Sequence, residues 1–229
     1  MKLLDSGGCS AVLFDLDGTL IDTAPDMVAV LQAMQQDRGR TPVTYELGRA
    51  YVSNGAVGLL RLGFPDADDA QVEALRPEYL SRYLDRISAA STLFPGLDTL
   101  VDQLDAYGRP WGVVTNKPHH LTEPLMTALE LLERAACCVS GDTLPQRKPD
   151  PAPLHHACAV AGIDTATAIY VGDSSRDIEA GRAAGMLTVA AAYGYITPDD
   201  DVAAWNADVI VRDTDELAQF VRKAVNLGT

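Results

Sequence analysis

The sequence predicts an α/β fold in which a doubly wound parallel sheet is interrupted by an all-helical insertion. Short apolar runs alternate with helical periodicity along most of the chain, as in parallel strands joined by helices. The first run, residues 11–14, is entirely apolar, which is typical of a strand buried on both faces. Residues 24–90 are rich in helix-forming residues and contain no segment that indicates a buried strand. We therefore expect a Rossmann-like core of residues 1–22 and 92–229, with a small helical cap of residues 23–91.

Four helical stretches are predicted in the cap. The first begins at Ala24, where a proline in the first turn and a following acid favour a helix start, and it ends near Gly39. The others are predicted at residues 44–53, 57–62 and 69–87. Pro77 either kinks the last of these helices or marks its true beginning.

The rest of the chain returns to strands and helices in alternation. Strands are predicted at residues 111–115, 137–140, 168–172, 187–191 and 209–211, and helices at residues 97–106, 121–132, 151–161, 177–184 and 216–225. In open α/β sheets, ligands bind beyond the carboxyl ends of the strands. Polar residues that directly follow a strand are therefore the candidate site residues.

The charge balance excludes some classes of partner. The chain carries 18 basic and 32 acidic residues, a formal net charge of −14. Such a field repels nucleic-acid backbones and anionic membrane surfaces. We therefore expect neither partner, and an anionic substrate would need a site that is locally positive.

The cysteines and the apolar runs indicate a cytoplasmic protein. The four cysteines have no metal-binding spacing, and Cys137 and Cys138 are adjacent, so reduced thiols are expected. Residues 1–8 lack the apolar stretch of a signal peptide. No run approaches the roughly 20 apolar residues of a membrane span. The oligomeric state is left open.

Two carboxylates follow the first predicted strand. Asp15 and Asp17 are separated by one residue and are followed at once by Gly18, which allows the backbone to turn sharply. Two acids this close repel each other unless a cation lies between them or one of them is protonated. The segment therefore predicts either a cation site or a carboxyl group that carries a proton.

Three later segments place polar side chains beside other strand ends or helix starts. Thr115 ends a strand, and its hydroxyl could bind a phosphoryl oxygen or cap a turn. Lys148 precedes a proline and a helix, and it is either a solvated loop cation or a neutraliser of anionic groups. Arg147 beside it is the competing cation. Asp173 and Asp177 flank a strand-to-helix turn that can aim both carboxylates at one point.

Together these segments resemble the four motifs of the haloacid dehalogenase-like phosphohydrolases. Asp-Leu-Asp-Gly-Thr-Leu at residues 15–20 resembles the first motif, and Thr115 fills the second. Lys148 before proline resembles the third motif, and Asp173 with Asp177 resembles the fourth. The motifs occur in order and the resemblance spans almost the whole chain. It implies a phosphatase with this fold, a Mg²⁺ cofactor and a small phosphorylated substrate.

The resemblance also implies catalytic roles for the matching residues. Asp15 would be the nucleophile and would carry an aspartyl-phosphate. Asp17 would protonate the leaving oxygen and then deprotonate the attacking water. Lys148 would neutralise charge on the nucleophile and the phosphate. The residues implied in substrate binding are Thr115, Asn116 and Gly18.

The implied metal site is made of oxygen atoms, which suit Mg²⁺. Its expected ligands are the Asp15 carboxylate, the Asp17 main-chain carbonyl and Asp173. Some relatives carry a second acid directly after the first in this motif, where this chain has Ser174. Asp177 is expected to act indirectly or through a water molecule.

The acid at position 17 points to phosphomonoester hydrolysis or to phosphomutase chemistry. Dehalogenases and phosphonatases of the family lack an acid at this place. A small helical cap implies a small substrate enclosed from water. Candidate specificity residues on the cap are Arg49, Ser53 and Asn54. The role of Lys117, which follows the second motif, is left open.

Several features narrow the resemblance within the family. The small helical cap and residues 22–25 and 115–118 resemble the phosphoglycolate phosphatase group. Residues 111–118, 176–182 and 193–196 carry a closer likeness to its branch that hydrolyses N-acetylmuramic acid 6-phosphate. The expected substrate is a 2-phosphoglycolate-like acid or a sugar phosphate. N-acetylmuramic acid 6-phosphate is the alternative, and a sugar phosphomutase is the less favoured reading.

Overall fold

The structure, a computed structural model, describes residues 8–227, and it confirms the predicted α/β architecture. The strands are β1 (Ala11–Phe14), β2 (Ile21–Asp22), β3 (Thr92–Leu93), β4 (Trp111–Val114), β5 (Cys137–Val139), β6 (Ala168–Gly172), β7 (Leu187–Ala191) and β8 (Val209–Val211). The helices are α1 (Ala24–Asp37), α2 (Tyr45–Ala50), α3 (Gly55–Gly63), α4 (Asp69–Leu84), α5 (Leu97–Ala106), α6 (His119–Ala128), α7 (Ala152–Ala161), α8 (Ser175–Ala183) and α9 (Thr214–Ala224).

Six strands form one parallel sheet in the order β5-β4-β1-β6-β7-β8. Strand β1 lies at the centre, and its last residue, Phe14, is in register with Val113 of β4 and Val171 of β6. The strand order reverses beside β1, which makes this edge the crevice where ligands bind in doubly wound sheets. The carboxyl ends of the three strands deliver Asp15, Thr115 and Asp173 to that edge.

The central strands are apolar because both faces of the sheet are covered. Val12 and Phe14 of β1 pack into the larger of two cores, which extends into the inserted helices. Leu13 faces the smaller core, where α7 contributes Leu154 and Ala157. Burial on both sides explains why the first run contains no polar residue.

Helices α1 to α4, referred to below as the helical insertion (residues 24–84), lie between β2 and β3. These two short strands pair antiparallel, with Ile21 opposite Leu93. The sequence analysis did not predict this ribbon, because two residues are too short for a periodic pattern. Pro77 lies inside α4 and does not mark its beginning.

Three predicted helices end earlier in the structure. Helix α4 ends at Leu84, three residues before its predicted end. The second cap helix ends at Ala50, and a 3₁₀ turn occupies residues 52–54. Helix α6 ends at Ala128, because Glu130 adopts a positive φ of 59° that no α-helix can continue through.

The division into core and cap domains stays a prediction. Residues 1–7 and 228–229 of that predicted core, including most of the N-terminal segment expected to lack a signal peptide, lie outside the described residues.

The cysteines are free thiols. Cys9, Cys137 and Cys158 are buried, and Cys138 is partly buried. Burial raises the pKa of Cys137 to about 12 and that of Cys138 to about 11, which keeps both thiols protonated and unreactive at neutral pH.

Within residues 8–227, no helix combines the length and the apolar character needed to cross a bilayer.

Asp26 anchors the first turn of α1 to the segment that leads into β3, and this contact gives a stability prediction. Its buried carboxylate accepts hydrogen bonds from the Ser91 amide at 2.8 Å, the Ser91 hydroxyl at 2.7 Å and the Ala90 amide at 2.9 Å. Asp26→Ala leaves these donors without an acceptor. We expect the free energy of unfolding to fall by about 2–4 kcal/mol, measured by urea denaturation. Glu133→Ala, at an exposed position, is the control; equal midpoints for the two variants would contradict the prediction.

Candidate active site

The first motif forms a tight turn directly against the fourth. The amides of Leu20 and Ile21 both donate to the Leu16 carbonyl, at 3.1 and 3.0 Å. Gly18 has a φ of +86°, and a Cβ atom there would lie 2.1 Å from Oδ2 of Asp173. Only glycine fits this position. The Gly18 amide already donates to the Ile21 carbonyl at 3.1 Å, so its role in substrate binding stays a prediction.

Lys148 is a buried cation that joins three of the site's segments. Its Nζ lies 2.8 Å from Asp15 Oδ1, 2.7 Å from Asp177 Oδ1, 2.8 Å from the Val114 carbonyl and 2.7 Å from the Tyr170 hydroxyl. Burial alone would lower the pKa of Lys148, but the two carboxylates outweigh it and the pKa is raised. Lys148 is therefore a permanent ammonium at the carboxyl end of β1.

Asn116 holds Lys148 in place through the backbone. Its side-chain amide donates to the Lys148 carbonyl at 3.0 Å, and its side-chain oxygen accepts from the Lys148 amide at 3.1 Å. The sequence analysis assigned Asn116 to substrate binding; the structure places its side chain on the Lys148 main chain, and the substrate role stays a prediction. Thr115 is buried, and its Oγ1 accepts from the Lys117 amide at 3.1 Å.

Three carboxylates converge beside Lys148. Oxygen atoms of Asp15, Asp173 and Asp177 all lie within 4.8 Å of one another. Both oxygens of Asp177 are engaged, one by Lys148 and the other by the Ser174 amide at 3.1 Å. This matches the indirect role expected for Asp177, which remains a prediction.

Asp173 leaves one buried oxygen without a partner. Its Oδ2 accepts from the Tyr195 amide at 2.8 Å and from the Ser53 hydroxyl at 2.7 Å. Its Oδ1 is buried and has no hydrogen-bond partner among the described residues. Since buried polar atoms are nearly always satisfied, this oxygen is a candidate ligand for a cation in the cluster with Asp15.

The acids of the cluster oppose one another electrostatically. Burial raises the pKa of Asp15 to about 6, with Lys148 opposing the shift and Asp177 adding to it. Burial and the nearby Asp15 raise the pKa of Asp173 well above its usual range. Burial also disfavours ionisation of Asp177, but Lys148 and Arg176 outweigh it, and its pKa is lowered.

The donor set fits a divalent cation. The group contains carboxylate oxygens only, the ligand chemistry that Mg²⁺ prefers. One cation near Asp173 Oδ1 would satisfy that oxygen and relieve the repulsion between Asp173 and Asp15. Within the described chain, these residues are the ones able to hold a metal ion. The Asp17 carbonyl stays a predicted ligand.

Asp17 lies apart from this cluster, on the wall of a cavity. Its Oδ1 accepts from the Thr23 hydroxyl at 2.6 Å and from Lys117 Nζ at 2.9 Å. Lys117 is buried, although the sequence analysis gave it no role. Its Nζ also contacts the hydroxyl of Tyr83, on α4, at 2.9 Å.

The cavity lies between the strand ends and the helical insertion and has a volume of about 270 Å³. Its acidic lining residues are Asp15 and Asp17, and its basic ones are Arg76, Lys117, Arg147, Lys148 and Arg176. Basic residues thus outnumber acidic ones here, although acids outnumber bases 32 to 18 in the whole chain. The locally positive site that the sequence analysis required for an anionic substrate is present.

The cap residues singled out from the sequence have different positions. Ser53 and Asn54 line the cavity. Arg49 instead donates to the carbonyls of Tyr193 and Gly194, both at 3.1 Å, and it stacks on the ring of Tyr195. It therefore fastens α2 to the loop after β7.

Sequence reasoning missed three residues of the site. Tyr170 contacts Lys148 from inside β6, Tyr195 donates its amide to Asp173, and Arg176 donates to the Ser53 carbonyl. A tyrosine inside an apolar strand carries no signal that separates it from core. The Arg176 contact joins segments far apart in sequence, which no local pattern reveals.

Comparisons with known proteins agree with this arrangement. A model of the haloacid dehalogenase-like hydrolase family matches residues 12–191. The chain is 44% identical over 216 residues to an N-acetylmuramic acid 6-phosphate phosphatase of Pseudomonas aeruginosa, covering 94% of this chain and 96% of that protein. It is also 44% identical over 207 residues to a phosphoglycolate phosphatase of Xanthomonas campestris pv. campestris, covering 90% and 94%.

Among solved structures, the fold is similar to a predicted phosphoglycolate phosphatase from Haemophilus somnus. The TM-score is 0.80 at 26% sequence identity, covering 93% of this chain and 97% of that chain. Similarity thus extends over both the sheet and the helical insertion.

The raised pKa of Asp15 predicts how the stability of the metal-free protein depends on pH. The folded protein holds this proton up to about pH 6, whereas the unfolded chain releases it near the ordinary value of 3.8. The stabilising contribution is therefore present below pH 3.8 and is lost as pH rises through 6. We expect Asp15 to account for about 3 kcal/mol of lost stability over this range, measured by calorimetry in chelator.

Asp15→Asn should remove this part of the pH dependence, which isolates it from other titrating groups. At pH 7.5, added Mg²⁺ should raise the melting temperature of the wild type but not that of Asp173→Asn. Identical pH profiles for the wild type and Asp15→Asn would show that Asp15 titrates normally in the folded state.

Proposed function

Because the chain belongs to the haloacid dehalogenase-like hydrolase family, we propose that it is a Mg²⁺-dependent phosphatase that hydrolyses a small phosphomonoester through a phosphorylated Asp15. The observation that carries this proposal is the placement of Asp15. Its carboxylate lines a basic cavity, is held at one oxygen by the buried Lys148, and lies beside the unpartnered oxygen of Asp173. The Pseudomonas aeruginosa and Xanthomonas campestris relatives described above, each 44% identical, both bear phosphatase names.

In the first step, an Asp15 oxygen attacks phosphorus and the bond from phosphorus to the leaving oxygen breaks. Lys148 fixes the other oxygen of Asp15 at 2.8 Å, which orients the carboxylate for in-line attack. Its positive charge also lowers the repulsion between the nucleophile and the phosphate dianion. A bound Mg²⁺, held by Asp15 and Asp173, would supply further neutralisation of phosphoryl charge.

Asp17 is placed to handle protons in both steps. It lines the cavity, and the two donors on its Oδ1 leave Oδ2 for the substrate. It gives a proton to the leaving oxygen in the first step. In the second step it takes a proton from the water that attacks phosphorus, which breaks the bond to Asp15 and releases inorganic phosphate.

The cavity has room for a substrate larger than a two-carbon acid. Its volume of about 270 Å³ is near the roughly 300 Å³ at which pockets for drug-sized ligands begin. The helical insertion lines it with apolar side chains from Val52, Val57 and Leu80 and with the cationic Arg76. An N-acetylated sugar phosphate that also bears a carboxylate would use both surfaces, so N-acetylmuramic acid 6-phosphate is the favoured second candidate beside 2-phosphoglycolate.

The nucleophile can be tested directly. Asp15→Asn should lower phosphate release in the presence of Mg²⁺ at least roughly 10⁴-fold, because no covalent intermediate can form. The wild type, quenched in acid after mixing with a ³²P-labelled substrate, should carry label on Asp15. Circular dichroism verifies folding, and Glu133→Gln serves as the matched control. Label on another residue, or wild-type turnover by Asp15→Asn, would refute the assignment.

The choice of substrate can be tested at Arg76. Its only ion pair among the described residues is a 3.4 Å contact to Glu73 on its own helix, so its guanidinium is available to a carboxylate. Arg76→Met should raise KM for N-acetylmuramic acid 6-phosphate roughly tenfold. It should leave KM for N-acetylglucosamine 6-phosphate, which lacks the carboxylate, within about twofold.

A substrate panel separates the remaining alternatives. It contains these two sugars, 2-phosphoglycolate and a hexose 1-phosphate. Preference for 2-phosphoglycolate would reject the larger substrate. Conversion of the hexose 1-phosphate into its 6-phosphate isomer, in place of free sugar, would identify a phosphomutase.

A further inference from the structure

We propose that Lys117 is a positioning residue that holds Asp17 for proton transfer to the leaving group and that ties this placement to helix α4. This inference rests on the phosphatase function proposed above. It deepens that function by assigning a residue that lies outside the four family motifs. The contacts of Lys117, its anchoring and the position of Tyr83 support it.

The side chain of Lys117 is buried, and its ammonium contacts one carboxylate and one tyrosine. Its Nζ lies 2.9 Å from Asp17 Oδ1, 2.9 Å from the Tyr83 hydroxyl and 4.5 Å from the centre of the Tyr83 ring. Within residues 8–227, Asp17 is its only carboxylate partner. A buried ammonium is costly unless its partners are fixed in place, so Asp17 and Lys117 restrain each other.

The backbone of Lys117 is anchored on the core. Its amide donates to Thr115 Oγ1 at 3.1 Å, and its carbonyl accepts from the Gly141 amide at 2.8 Å and from the Thr122 hydroxyl at 3.1 Å. The residue therefore cannot shift without disturbing the strand end that carries Thr115. The ammonium is a fixed point from which Asp17 is oriented.

Tyr83 brings the helical insertion into the same contact. It is fully buried near the end of α4, whereas Asp17 and Lys117 belong to the core. One turn earlier on α4, the Tyr79 hydroxyl donates to the Met27 carbonyl at 2.9 Å, away from Lys117. The complete arrangement of Asp17, Lys117 and Tyr83 exists only when α4 lies over the cavity.

The consequence concerns which oxygen of Asp17 meets the substrate. Thr23 and Lys117 both bind Oδ1, so Oδ2 is the oxygen presented to the leaving group. Without Lys117, the carboxylate can rotate and its proton is delivered from a less defined position. In the first step, such a defect affects only esters whose leaving oxygen must be protonated. The second step, in which Asp17 takes a proton from water, comes after release of the leaving group and does not enter kcat/KM.

Leaving-group dependence is therefore the decisive readout. Lys117→Met should lower kcat/KM roughly 100-fold with an alkyl phosphate such as 2-phosphoglycolate. With p-nitrophenyl phosphate, whose leaving group needs no proton, kcat/KM should fall less than about fivefold. Asp17→Asn should show the same selectivity, and the double variant should be no worse than Asp17→Asn alone, because both act through one carboxylate.

Two further variants separate positioning from a general structural effect. Tyr83→Phe removes one hydrogen bond of Lys117 and should produce a smaller loss that is again selective for the alkyl phosphate. Tyr79→Phe is the matched control on the same helix, and any loss it causes should be equal for both esters. Lys117→Arg should recover part of the alkyl phosphate rate.

The outcomes distinguish this inference from the function on which it rests. Suppose that the wild type is active and that Lys117→Met lowers kcat/KM equally for the alkyl phosphate and for p-nitrophenyl phosphate, or lowers neither. Either result overturns the positioning role alone. If Lys117→Met does not fold, the ratio of kcat/KM for the two esters is measured in Tyr83→Phe and Lys117→Arg, and it decides the positioning role in the same way. A folded, Mg²⁺-loaded wild type that hydrolyses neither ester overturns the proposed function, and this inference with it.

Discussion

The site depends on the buried ion cluster in which the Lys148 ammonium lies between Asp15 and Asp177. Charges taken out of water are expensive, and they persist only where each one is compensated at close range. Asn116 fixes the Lys148 backbone, and Ser174 fixes Asp177. Asp15 is consequently held at one oxygen in a rigid frame. The remaining carboxylate, Asp173, is the member of the cluster without compensating charge from the protein.

This imbalance explains how a strongly acidic protein can receive an anion. The net charge of −14 repels phosphate esters at long range, but salt screens that field beyond roughly 8 Å. Close to the site, the basic lining of the cavity dominates. The acids of the site are engaged by cations or are directed at one point, where a divalent ion would add further positive charge. Local geometry therefore decides the sign of the field that the substrate meets.

The sequence predicted those parts of the molecule that local patterns encode. The apolar run of β1 and the positions of β6 and β7 follow from burial on both faces of the sheet. The convergence of Asp15, Thr115 and Asp173 follows from parallel strands ending at one edge. The pairing of β2 with β3 and the contact between Asn116 and Lys148 join distant segments through backbone groups. Backbone groups occur at every position, so contacts made through them leave no residue-type signal in the sequence.

The paired ribbon of β2 and β3 has a consequence for how this architecture can change. The chain enters the helical insertion after β2 and leaves it before β3, and Ile21 and Leu93 of these strands lie opposite each other. Whatever is placed between them begins and ends at neighbouring points, so its length adds little to the entropy of closing the loop. A segment of different length or sequence can thus be placed between these strands through a single two-residue junction. The part of the cavity wall that the helical insertion supplies can change without rebuilding the strand ends that carry Asp15, Thr115 and Asp173.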